Sequence, residues 1–363
     1  MKFGLFYEMF VPDGEPHEEA RIVRHTVDQI VQADRFGWDH VWLTEHHFLG
    51  GFSHMSAPEV IFGAAAYQTN HIRFGFGLAL TPPAYNHPVR IAERAAMLDC
   101  LSDGRVDIGS GRSTTPSELY GFGLDPEESR AQWLEGLEAV AHLLAEENVE
   151  LDGEFVKMPK RTVYPRPVQQ PHPPLWVGGV GPGNAERAAK SGLGMLFFAA
   201  QTKPEELRSS IQAYRDNIGD AQPFIAGGVN NQTAGFINGL CSYDRDEIRQ
   251  LAARKTVEHT LHGNIAMTSG WPDDTPTPSY GHVAGVRAMY EAIKTDQQAM
   301  ADSMLEGGFV MAGTPEDCAP VLDSFQEVGV DQVIIHMQMG NVPHERIMES
   351  IELIGTELMP KYR

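Results

Sequence analysis

The chain is short of three things, and each shortage narrows its function. Cysteine occurs three times in 363 residues, as Cys100, Cys241 and Cys318, with no Cys-x-x-Cys spacing. A disulfide framework and a thiolate metal site are therefore not expected, and a reducing, cytoplasmic location is. Positive charge is scarce: 28 Lys and Arg face 49 Asp and Glu, for a net charge of −21. Nucleic acid and anionic membrane surfaces need a basic patch that no stretch supplies, so a small-molecule partner is expected instead. Long hydrophobic runs are missing too. No segment is long enough to span a bilayer, and Met1–Tyr7 enters a strand pattern without an apolar leader.

What is present is a regular alternation of strand and helix patterns. Strands are predicted at Lys2–Glu8, Val41–Leu43, Ile72–Thr81, Arg105–Gly109, Leu175–Gly178, Met195–Ala200, Thr233–Ser242 and Gln332–Met337. Amphipathic helices fill the intervals: Glu18–Phe36 closed by Gly37, Pro58–Tyr67, Pro88–Leu101, a long one from the Asp125-Pro126-Glu127-Glu128 start signal, and a short one at Asn184–Ser191. Thr202-Lys203-Pro204-Glu205 and Gly313-Thr314-Pro315-Glu316-Asp317 open further helices, another starts at Asp244, and His344–Leu358 closes the chain. Val149–Val163 reads as a hairpin turning at Asp152-Gly153. Eight strands each followed by a helix imply an α/β fold, a single (β/α)8 TIM barrel with insertions over residues 1–363. Residues 261–285 lose periodicity and gather Gly, Pro, Asp and Thr, which predicts a mobile loop.

In such a barrel the working residues sit where strands end. The apolar run Val41-Trp42-Leu43 ends in Thr44-Glu45-His46-His47. Strand alternation sends His46 to one side and Glu45 and His47 to the other, which argues against a metal held by Glu-His-His, so no metal is expected. After the fourth strand, Gly109-Ser110-Gly111-Arg112-Ser113-Thr114-Thr115 offers backbone, hydroxyls and a guanidinium suited to a phosphate. After the fifth, Gly178-Gly179-Val180-Gly181-Pro182-Gly183-Asn184 leads into a helix N-terminus, a second anion-binding arrangement. Neither loop has dinucleotide or P-loop spacing. Each alone reads as an ordinary connector; at adjacent strands of one barrel they point to a phosphorylated cofactor. Gly75 and Gly77, inside the third strand, suit either barrel packing or the close approach of a flat ligand.

These stretches resemble the bacterial luciferase-like flavin monooxygenases. The similar features are Met1-Lys2-Phe3-Gly4, Val41 to Phe48, His87-Pro88-Val89-Arg90, Leu101-Ser102-Asp103-Gly104-Arg105, Gly111-Arg112, Ser129-Arg130-Ala131 and Gly313 to Cys318, in family order over nearly the whole chain. The resemblance implies a barrel that binds reduced FMN, reacts it with O₂ to a flavin hydroperoxide and oxygenates an organic substrate. It implies His46 as the catalytic histidine with Glu45 supporting the site. Arg112, Arg130, Gly181 and Asn184, with the Gly179 and Val180 backbone, become phosphate ligands, and Gly77-Leu78 a cis peptide beside the flavin ring. It further implies a homodimer, a water-excluding loop at 261–285 and a separate NAD(P)H-dependent flavin reductase, since no nicotinamide motif is present. Gly111 stands where luciferase has cysteine, so aldehyde luminescence is not implied. The alternatives are a deazaflavin-dependent dehydrogenase on the same barrel, a non-catalytic flavin-binding subunit and, more distantly, a metal-dependent hydrolase. Phe6, Tyr7, Met9, Phe48, Phe52 and Met55 are candidates for an apolar pocket lining, or plain core.

Overall fold

A computed structural model describes residues 1–11, 16–198, 203–272 and 276–363. Its strands are β1 (Lys2–Tyr7), β2 (His40–Leu43), β3 (Arg73–Leu80), β4 (Val106–Gly111), β5 (Val149–Asp152), β6 (Lys157–Arg161), β7 (Leu175–Gly178), β8 (Gly194–Phe197), β9 (Thr233–Cys241), β10 (Val310–Gly313) and β11 (Gln332–His336). Eight of them close a parallel ring in the order β1-β2-β3-β4-β7-β8-β9-β11 and back to β1, with helices outside, which is the expected (β/α)8 barrel. β5 and β6 form the expected antiparallel hairpin outside it.

The strands are continuous apolar runs because both faces are covered: His40–Leu43 is buried throughout, as is Thr233–Cys241. Inside the ring, Phe6, Trp42, Trp176, Leu196, Ala234, Phe236 and Ile334 pack together, and the two indoles meet edge-on at 5.4 Å between centroids. Glycine makes the room. A Cβ on Gly75 would lie 2.2 Å from Trp42, and one on Gly194 would lie 2.5 Å from Trp176.

Several boundaries differ from expectation. β9 is long enough to pair twice: Ala234–Asn238 with β11 and Asn238–Cys241 with β10, a short strand the sequence pattern did not announce. β4 continues to Gly111, so Ser110 and Gly111 are ladder residues rather than loop. Asp125 does not cap a helix directly; its Oδ1 accepts from Glu127 N at 2.9 Å in a preceding turn, and the helix starts at Ser129. An unexpected short helix, Pro116–Gly121, follows β4. The largest departure is at 261–285. A helix runs unbroken from Arg245 to Thr268, and another begins at Val283. Periodicity fails there because the buried face carries His259, Thr260, Asn264 and Thr268 in place of aliphatics. The intervening segment is anchored by Trp271 and Tyr280, both buried against Leu80, Tyr85, Leu119 and Leu124. Ala199, Ala200 and Thr202 lie outside the described residues.

Candidate active site

β2 delivers His46 to the C-terminal mouth of the barrel, where His46 N donates to Met55 O at 2.8 Å. Its imidazole is then fixed by a residue from another loop. Glu118, on the helix Pro116–Gly121, is fully buried and accepts from His46 Nδ1 at 3.0 Å and from His47 N at 2.9 Å. Its second oxygen accepts from Ser113 Oγ at 2.5 Å and Thr115 Oγ1 at 2.6 Å. Burial works against the charge on Glu118, but His46 and the two hydroxyls outweigh it and hold the carboxyl down to about 2. For His46, burial disfavours the cation; the Glu118 charge and hydrogen bond, with Glu8 and Glu45 adding, outweigh that and raise its pKa above the ordinary 6.5. His46 Nε2 is 3.8 Å from Glu8 Oε1, beyond hydrogen-bond distance.

Glu45 points the other way, as strand alternation requires. Its oxygens accept from Leu80 N at 3.0 Å and Asn86 Nδ2 at 2.6 Å, and His47 Nε2 lies 3.3 Å away. Asn86 is held in turn by Arg94 at 2.7 Å. Glu45 thus fixes the end of β3, two residues beyond the Gly77-Leu78 peptide, which is cis. The Leu78 side chain crosses β4 and β7 over glycines: Cβ atoms on Gly111 and Gly178 would come within 2.8 and 2.7 Å of it.

On the neighbouring strand ends the arginines converge. Arg112 donates to Ser129 Oγ at 2.9 Å and Ser279 O at 3.0 Å, and its guanidinium lies 4.5 Å from the centroid of Tyr280. Arg130 is exposed, and among the described residues no hydrogen bond or ion pair engages it. Partial burial, then the nearby charges of Arg187 and Arg112, lower its pKa. Gly181 takes φ of +80° to start the helix Pro182–Lys190, and no side chain caps that helix. Asn184 is a brace: its Nδ2 donates to Val180 O at 2.7 Å and its Oδ1 accepts from Arg187 at 2.6 Å. Gly179 N donates to Leu196 O at 3.0 Å, and a Cβ there would press on Asn184 at 3.3 Å.

The residues sequence reading missed are Glu118, Arg187 and a third cluster. Glu8, just past β1, holds His259 Nε2 at 2.6 Å, and His336, at the end of β11, packs its ring 4.7 Å from that of His259. Glu118 did carry a signal, because Thr115-Pro116-Ser117-Glu118 has the spacing of a helix start box. Among the suggested lining residues, Phe6 lies 5.3 Å from His336 and Phe52 lies 5.7 Å from His46. Tyr7, Met9 and Met55 belong to the main core, and Phe48 is exposed. Those three are spent on packing strands against helices.

A family model described as luciferase-like monooxygenase matches residues 1–332. The chain is 32% identical over 369 residues to the oxygenase component of the flavin-dependent trigonelline monooxygenase of Acinetobacter baylyi, spanning 100% of this chain and 96% of that one. Among solved structures, a monooxygenase from Streptomyces bottropensis superposes with a TM-score of 0.80 at 26% identity, with 100% of both chains covered. A coenzyme F420-dependent tetrahydromethanopterin reductase from Methanopyrus kandleri shares the fold alone, with a TM-score of 0.69 at 20% identity and coverage of 100% and 99%.

Proposed function

Because the chain belongs to the luciferase-like monooxygenase family, we propose that it is the oxygenase component of a two-component flavin system, using reduced FMN and O₂ to oxygenate a small organic substrate. The observation that carries this reading is the pairing of a histidine locked by a buried carboxylate with a cluster of three arginines, of which Arg130 has no hydrogen bond or ion pair among the described residues. Arg130 has positive charge to spare, Arg112 and Arg187 flank it, and the uncapped helix at Gly181 leaves its first N–H groups free, which together fit a phosphate. Bound there, reduced FMN supplies the electrons that activate O₂.

The protein's own residues divide the remaining tasks. Arg112, Arg130 and Arg187 would hold the phosphate, together with the uncapped backbone N–H groups in the first turn of the helix Pro182–Lys190. Gly77 and Leu78, with the strand end that Glu45 fixes, would line the place of the ring system. His46, tethered through Nδ1, has Nε2 left to give or take a proton, and its raised pKa keeps that proton available near neutrality. Trp271 and Tyr280 cover the mouth and exclude water. A separate NAD(P)H-dependent reductase delivers the flavin, and the chain works as a cytoplasmic homodimer; among the described residues no helix is long and apolar enough to cross a membrane.

The F420-dependent neighbour supplies the competing reading, hydride transfer from a deazaflavin on the same fold. The discriminating experiment supplies reduced FMN from an added reductase under ¹⁸O₂, with a panel of small aromatic and alicyclic substrates, and reads product mass. Incorporation of one ¹⁸O atom supports the oxygenase. Turnover under argon with F420, oxidised for a dehydrogenase or reduced for a reductase, and no product with FMN and oxygen, would replace it by a deazaflavin-dependent enzyme.

A further inference from the structure

We propose that Glu8, His259 and His336 form a binding site for one divalent first-row transition ion, of which Zn²⁺ is representative, beside His46. The three come from separate elements: the end of β1, the helix Arg245–Thr268 and the end of β11. No local spacing could announce them. β1 and β11 are paired in register, Phe6 with His336, which brings Glu8 and His336 to the same rim. One ligand atom from each residue lies within 4.8 Å of the others, and all three residues are buried. Two imidazoles and a carboxylate suit borderline ions, whereas Mg²⁺ and Ca²⁺ prefer oxygen alone. Bonds of about 2.0–2.2 Å put tetrahedral ligands about 3.4 Å apart, so the cluster closes on an ion with side-chain movements of roughly 1 Å.

A second observation points to the same ligand. His336 Nδ1 lies 3.2 Å from Asn238 Oδ1, an atom that only accepts, so Nδ1 carries the proton and Nε2 the lone pair. That Nε2 has no partner, although His336 is only 1% exposed, and His259 Nδ1 is likewise buried without one. Fixing one ring nitrogen with a carbonyl-type oxygen while the other stays free is how a neighbouring residue orients a metal-binding histidine. The 2.6 Å contact between His259 Nε2 and Glu8 Oε2 is where the ion would replace a shared proton. Rings of Phe10 and Phe52, 5.3 and 5.0 Å from His259, shield the place from water. Three protein ligands leave a fourth position open, on the side where Glu8 Oε1 is 3.8 Å from His46 Nε2.

The inference does not depend on which flavin the barrel takes, and its test uses no flavin. Full-length protein without a polyhistidine tag is stripped with chelator and titrated with Zn²⁺ by calorimetry and with Co²⁺ by visible absorption. We expect one saturable site, with the intense ligand-field absorption of low-coordinate Co²⁺, and at least tenfold weaker binding in Glu8→Gln and His336→Asn. Circular dichroism checks that both variants fold; if either does not, the wild-type Co²⁺ spectrum decides by itself. His25→Ala removes the half-buried His25–His344 stack, an alternative imidazole pair. Absence of a stoichiometric site, a weak six-coordinate Co²⁺ spectrum, or binding that disappears with His25 and survives Glu8→Gln would each overturn the assignment.

Discussion

Replacing Glu118 by glutamine tests how His46 is held. The carboxamide fills the same space but carries no charge, and it meets four donors: His46 Nδ1 at 3.0 Å, His47 N at 2.9 Å, Ser113 Oγ at 2.5 Å and Thr115 Oγ1 at 2.6 Å. Its NH₂ group must face one pair of them. The Glu118 carboxyl is held from 4.5 down to about 2, which at about 1.4 kcal/mol per pKa unit corresponds to roughly 3 kcal/mol. A single hydrogen bond to a charged group is worth about 1.5–3 kcal/mol, so a loss of about 2–3 kcal/mol is expected at neutral pH. The sign with pH follows from both partners. Because the His46 pKa is raised in the folded state, its contribution is complete below the ordinary 6.5 and lost as pH rises through the raised value. Because the Glu118 pKa is lowered, its contribution is complete above 4.5 and lost as pH falls through about 2. The stability gap between wild type and Glu118→Gln is therefore widest between 4.5 and 6.5 and narrows on either side. The assay is thermal midpoint against pH, paired with NMR titration of ¹³C-labelled histidine, in which the His46 resonance moves to lower pKa in the variant. A gap independent of pH, together with an unmoved His46 titration, would refute the reasoning.

Other expectations can be checked alongside. Arg112→Ala and Arg130→Ala each weaken reduced FMN by about 1.5–3 kcal/mol, roughly 10- to 100-fold in Kd; an unchanged Kd in both moves the phosphate elsewhere. Trp271→Ala removes a buried indole packed with Leu80, Leu119 and Tyr280, at a cost of about 3–5 kcal/mol. Hydrogen exchange in residues 269–272 and 276–282 should accelerate, and unchanged protection would mean that Trp271 is not the anchor. Gly136→Ala places a Cβ 2.0 Å from Thr81 O, which is backbone and cannot rotate away. Overpacking of about 1–3 kcal/mol or more is expected as a lower thermal midpoint, and a midpoint equal to wild type would contradict it.

What the sequence made legible was local. Val41–His46 read as a buried strand with a polar tip because one strand carries the whole signal, and the Gly178–Asn184 turn read as a helix start for the same reason. Gly77 and Leu78 were placed by resemblance, and the cis bond is there. What stayed hidden depends on the barrel bringing distant strand ends together. Glu118 reaches His46 across 72 residues and His259 reaches Glu8 across more than half the chain. At 261–268 the hydrophobic pattern faded because the buried face of the helix, which would carry leucines in a plain core helix, carries His259, Thr260, Asn264 and Thr268. Polar residues on a buried face look like loop in a pattern and like a site in three dimensions. Asn184, read as an anion ligand, is used up bracing Val180 O and Arg187. Arg187, exposed on the same helix, lies near enough to Arg130 for its charge to lower the Arg130 pKa.

The central claim is tested most directly by anaerobic titration of the purified protein with reduced FMN, followed by absorbance and run beside reduced F420. The account requires saturable, one-to-one binding of reduced FMN that is weakened by Arg130→Ala and retained in His46→Ala, with F420 binding far more weakly. Tight binding of F420 with no measurable binding of reduced FMN would contradict it.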